Sequence, residues 1–139
     1  MGAAVSVRLG APVEEAAARY LAQTGWNRTS LINTALREWL RAQSHPRIRF
    51  VATPTGTRVA ALVDGPEVWT VAESWNQHDP SERTVENVVA ATGLTRREVD
   101  CALAYYAEFR DEIDIQIDRI NRAQEQARLA WDRRKALYG

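Results

Sequence analysis

The chain has 139 residues, 18 lysines and arginines against 18 aspartates and glutamates, and 45% hydrophobic residues. That length is one medium domain or two small ones, and the zero balance gives no case from bulk charge for nucleic acid or membrane. A single cysteine excludes an intramolecular disulfide, and no apolar run has the length of a membrane span or the form of a signal peptide, which predicts a cytoplasmic protein with no membrane association.

Charge is unevenly placed: residues 84–115 carry three bases and seven acids, residues 116–139 six bases and three acids. All the bases but Lys135 are arginine, a bias that more often reflects genome composition than phosphate or carboxylate recognition.

In chain order, Ala4-Val5-Ser6-Val7-Arg8-Leu9 alternates small or polar residues with apolar ones and predicts a half-buried strand. Val5, Val7 and Leu9 would face helices, and Ala4, Ser6 and Arg8 would face outward. About 35 residues of helical pattern follow, so the strand's backbone groups need a partner from elsewhere, either a second copy or a later hairpin. Pro12 suits a first helical turn, Val13, Ala16, Ala17, Tyr20 and Leu21 fall at helical spacing, and Gly25 ends that helix. Asn27 can cap a second helix bearing the stripe Leu31, Ile32, Ala35, Leu36, Trp39 and Leu40, which His45-Pro46 closes. So small a strand-helix-helix module is not expected to be monomeric.

Residues 48–53 and 57–63 read as a β-hairpin with a three-residue loop, the rival partner for the first strand. Asp64-Gly65-Pro66 opens a helix carrying Val68, Val71, Ala72 and Trp75, and the polar stretch 76–83 is a loop. Thr84 caps a helix with Val85, Val88 and Val89 inward, ending at Gly93. Thr95 and Glu98 form a capping box for the next, whose inward residues are Val99, Ala102, Leu103 and Tyr106. The pair has helix-turn-helix spacing. From Ile113 the chain stays helical, with Ile113, Ile117, Ile120, Gln124, Ala127, Trp131, Arg134 and Tyr138 in strict 4-3 spacing. No later chain remains to cover that stripe, which favours another protein or subunit.

Catalytic chemistry is poorly supplied. His45 and His78 are isolated, and no metal-ligand spacing occurs. Glu108, Asp111, Glu112 and Asp114 cluster, but Glu108, Asp111 and Glu112 share one helical face, the pattern of a solvated or partner-binding surface. No enzyme activity, metal or cofactor is expected. DNA recognition fits better, because a two-stranded antiparallel ribbon enters the major groove and presents alternate side chains to base edges. Arg8 can pair with guanine, Ser6 can bond several bases, and Ala4 offers a methyl.

Ala4 to Leu9, the two helices and Gly25-Trp26-Asn27-Arg28-Thr29 resemble the ribbon-helix-helix family of bacterial repressors and antitoxins over about the first 43 residues. The resemblance implies a homodimer through the N-terminal strand, base reading of operator DNA by Ala4, Ser6 and Arg8, and a phosphate held by Asn27, Arg28 and Thr29. His45-Pro46-Arg47-Ile48-Arg49-Phe50, Gly56-Thr57-Arg58, Gly65-Pro66-Glu67-Val68-Trp69, Gly93-Leu94-Thr95 and the stretch Tyr105 to Asp114 resemble a prokaryotic domain family of unknown function, over about residues 45–121. Its members are commonly VapB-type antitoxins accompanying PIN-like ribonuclease toxins, which implies such a partner.

The expected architecture is mainly α with short β: a ribbon-helix-helix module at 1–44, a hairpin plus three-helix domain at 45–115, and an amphipathic helical tail at 116–139. The expected function is a type II antitoxin that represses its own operon and silences a PIN-like ribonuclease. On the tail, Arg128, Arg133, Arg134 or Lys135 would enter the toxin's acidic pocket while Trp131 and Tyr138 anchor the contact. The alternatives are a stand-alone repressor, its tail closing a coiled coil and its helix-turn-helix reaching DNA near Arg96 and Arg97, and an adaptor with no DNA role.

Overall fold

A computed structural model of the chain describes Ala4 and residues 6–139. The chain separates into two compact units, Met1–Gln43 and Ser44–Gly139. The described residues form six α-helices, one short 3-10 turn and one two-stranded antiparallel sheet, so the fold is mainly α with short β.

In the first unit, Ala4 and residues 6–10 form no hydrogen-bonded strand, and Val5 lies outside the described residues. Val7 is 59% exposed, so the expected in-out alternation does not develop in a single chain. The one sheet among the described residues consists of the two strands of the later hairpin, paired with each other. Helix α1 (Ala11–Thr24) starts with proline in its first turn and stops at Gly25, whose left-handed φ of 73° lets its amide bond the Leu21 carbonyl. Helix α2 (Arg28–Ser44) follows at once, with the Asn27 carboxamide oxygen accepting the Ser30 amide at 2.8 Å. Tyr20 and Trp26 meet edge to face at 5.8 Å. Yet neither helix contains a buried residue. Leu36, Trp39 and Leu40 on the predicted stripe are 55%, 62% and 57% exposed.

The second unit has its own core. Strands β1 (Ile48–Ala52) and β2 (Arg58–Leu62) pair from Ile48 opposite Leu62 to Ala52 opposite Arg58, leaving Thr53–Thr57 as a five-residue connection where a three-residue loop was expected. The Thr53 amide and Thr57 carbonyl still bond at 2.8 Å, which extends the ladder one step into that connection. Helix α3 (Val68–Gln77) begins after Pro66, because the Pro66 carbonyl is used by the Leu62 amide in the turn. The helix also runs to Gln77, into the expected loop, which holds a 3-10 turn at Pro80–Glu82.

Arg83 fastens the end of α3: its guanidinium donates to the carbonyls of Trp75, Asn76 and His78, each at 3.1 Å. Carbonyls at a helix C-terminus lack the full set of intrahelical donors, and among the described residues the Trp75 carbonyl otherwise accepts only the His78 amide at 3.3 Å. Helices α4 (Val85–Thr92) and α5 (Arg96–Glu108) are capped by Thr84 and by the reciprocal Thr95–Glu98 box, as the sequence predicts. Space at Gly65 is tight, since a Cβ there would lie 3.1 Å from the Glu98 carboxylate and 3.2 Å from the Leu62 Cβ. Ile48, Leu62, Val68, Val71, Val88, Val99, Tyr105 and Ile113 fill the centre.

Helix α6 (Arg110–Tyr138) is continuous for 29 residues. The expected boundary between 115 and 116 falls inside it. Ile113 is buried and Ile117 packs against the core, so the division between docked and free helix lies beyond them. Every residue from 121 onward is exposed.

Candidate functional site

The start of α2 is the better-formed of the two predicted interfaces. Asn27 is occupied as a cap, which leaves the amides of Arg28 and Thr29 without an acceptor among the described residues. Such amides, at the positive end of a helix dipole, suit an anion. Arg28 itself is ion-paired to Glu14 on α1. The hydrogen bond from Arg28 holds the Glu14 carboxyl below its usual value, and the same bond raises Arg28. Ala4, Ser6 and Arg8 are all exposed.

At the other end, helical periodicity sorts the predicted tail residues. Trp131, Arg134, Lys135, Tyr138 and Arg128 fall on the side that carries Ile113, Ile117 and Ile120, whereas Arg133, two residues from Trp131, points away. Trp131 is 55% and Tyr138 84% exposed, and the Arg134 guanidinium lies 5.8 Å from the Trp131 ring centre. Arg128 is already held by Glu125 at 2.6 Å and by Asp132 at 2.9 Å. Its hydrogen bond draws Glu125 below the usual carboxylate range. That leaves Arg134 and Lys135 as the cations on the apolar side with no acidic partner among the described residues.

What positions α6 is a pair of buried tyrosines at the end of α5. Tyr105 donates to Glu112 at 3.1 Å and Tyr106 to Asp114 at 2.6 Å, across the bend at Phe109. Tyr106 also accepts from the Asn76 amide at 3.0 Å, which ties α3 to the same point. Burial pushes the Tyr106 phenol up, opposed by the Asn76 bond and assisted by Asp114.

His45, which the sequence leaves isolated, reaches Glu108 at 2.6 Å and lies edge-on to the Tyr105 ring at 5.2 Å. So the acidic cluster is not merely a solvated face: Glu108, Glu112 and Asp114 each hold a ring-bearing side chain. Among the described residues no group of three or more metal-ligating side chains assembles. No family model, curated protein or solved structure matches the chain.

The helix-turn-helix pair offers less to DNA than its spacing suggests. Arg96 is paired to Glu86 and lies 3.9 Å from Asp100. Glu86 is lowered chiefly by its backbone hydrogen bond and then by Arg96. Arg97 lines a cleft of about 310 Å³ with Arg47, Asp64 and Glu98, where cations and acids balance. No helix is long and apolar enough to cross a membrane among the described residues.

Proposed function

We propose that the chain is an antitoxin-type repressor, whose N-terminal unit dimerises and binds operator DNA while the free half of α6 binds and silences a PIN-like ribonuclease. The observation that carries this reading is the state of the first unit: two helices, one closed by Gly25 and the other opened by the Asn27 cap, with an apolar stripe and no buried residue. A second copy of the unit covers that stripe and supplies a strand partner for Ala4 to Leu9. In the resulting ribbon Ser6 and Arg8 read bases, Ala4 contributes a methyl contact, and the amides of Arg28 and Thr29 hold the backbone.

The tail's chemistry supports a partner other than itself. A self-paired coiled coil would place Gln124 and Arg134 in the seam and Arg128 and Lys135 along its flank, a poor core with like charges beside it. An acidic recess beside an apolar groove suits Arg134, Lys135, Trp131 and Tyr138 together. The test is co-expression with the product of the neighbouring reading frame. A chain ending after Ile120 retains operator binding, because Ile113 and Ile117 still pack, but no longer captures or neutralises that product. Full neutralisation by the shortened chain overturns the tail assignment, and absence of any operator binding by the full chain overturns the repressor role.

A further inference from the structure

We propose that Glu14 sets the DNA affinity of the N-terminal unit by competing with a phosphate for Arg28, an inference that rests on the DNA-binding reading above. Arg28 is the first residue of α2, its amide and that of Thr29 have no acceptor among the described residues, and it is the cation nearest in sequence to that anion position. Its guanidinium is bonded to the Glu14 carboxylate, with both side chains nearly half exposed. Glu14 is held in place from the α1 side, its amide bonding the Gly10 carbonyl at 2.9 Å.

A phosphate arriving at the start of α2 therefore meets a neutral pair rather than a free cation. To engage Arg28 it must break that pair and then sit beside the released carboxylate, whose charge repels it. The exposed pair is weak enough to exchange, because such bridges hold by little in water. Glu14 thus acts as an internal stand-in for the DNA backbone. It lowers the affinity for every sequence alike, since a phosphate contact carries no base information.

The experiment measures fluorescence anisotropy of a labelled duplex from upstream of the chain's own reading frame, and of a scrambled duplex of equal length, across a salt series. Glu14→Gln is expected to bind both duplexes about two- to five-fold more tightly per protomer. The slope of log affinity against log salt steepens by about one per protomer, because Arg28 then neutralises a phosphate without leaving a new charge behind. Glu14→Ala shows the same gain, and melting curves establish that both variants fold. In an Arg28→Ala background the gain disappears.

Equal affinity of wild type and Glu14→Gln overturns the competition while leaving the DNA reading in place. The same gain with and without Arg28 also overturns it, since general charge then accounts for the effect. Failure of wild type and both Glu14 variants to bind either duplex overturns the DNA reading itself.

Discussion

The Tyr106 hydroxyl donates to Asp114 at 2.6 Å while accepting from Asn76, so one buried phenol joins α5, α6 and α3. The two residues stand eight apart with the Phe109 bend between them, and the bond fixes where α6 leaves the core. Tyr106→Phe keeps the ring and removes both bonds, leaving Asn76 and Asp114 to find water. The expected loss is about 1–2 kcal/mol in urea unfolding of the full chain, with the slope of the transition unchanged.

The same phenol makes stability depend on alkaline pH. Its folded pKa is raised, so its contribution is complete below the ordinary tyrosine value of 10.0 and is lost as pH rises through the folded value. Thermal midpoints of wild type fall above pH 10 more steeply than those of Tyr106→Phe. Parallel curves would locate the alkaline sensitivity elsewhere.

Arg83 carries the C-terminal capping of α3 from outside the helix. Arg83→Ala removes three charge-assisted bonds and is expected to cost about 1–3 kcal/mol. Arg83→Lys restores only part, because an ammonium cannot span three carbonyls with the fork of a guanidinium. Equilibrium denaturation of the two variants ranks them.

The box that starts α5 is sensitive to acid. The Thr95 amide and hydroxyl both bond the Glu98 carboxylate, and these hold its pKa below the ordinary 4.5. A depressed folded pKa gives stability that is present above about pH 4.5 and lost as pH falls through the lower folded value. Glu98→Gln is expected to flatten that part of the acid profile. Thr95→Ala removes the cap at all pH values and costs about 1 kcal/mol.

Leu36 and Leu40 are exposed in the single chain, so an acidic side chain there costs an isolated protomer little. Leu36→Asp and Leu40→Asp are expected to shift sedimentation equilibrium toward monomer and to lower the melting temperature of the N-terminal unit. Wild type melts at higher temperature as protein concentration rises. Concentration-independent melting with a monomeric wild type would show that this unit needs no second copy.

Most helices were legible in the sequence because their ends are written locally. Gly25, Gly93, Thr84 and the Thr95–Glu98 pair act on amides within four residues, and each sits where the spacing places it. Tyr105 was not legible as core: the apolar spacing on α5 selects Leu103 and Tyr106, and only the arrival of Phe50 and Phe109 encloses the Tyr105 ring. His45 and Glu108 stand 63 residues apart, a separation no local pattern registers. On the tail, helical spacing identifies the stripe, but the double pairing that occupies Arg128 depends on which rotamers Glu125 and Asp132 adopt.

The free half of α6 is already helical before anything touches it. Its 18 residues from 121 to 138 extend about 27 Å at 1.5 Å each, and the pairs Asp118–Arg122, Glu125–Arg128 and Arg128–Asp132 brace them. The docked turns before Ile120 also supply the nucleus that an isolated peptide of this length forms poorly. Ordering a backbone costs about 1–2 kcal/mol per residue, and here folding has met that cost in advance. Under the proposed function, capture is the encounter of a stiff rod with a groove, and substitutions along the apolar side are expected to change how long a complex lasts more than how fast it forms.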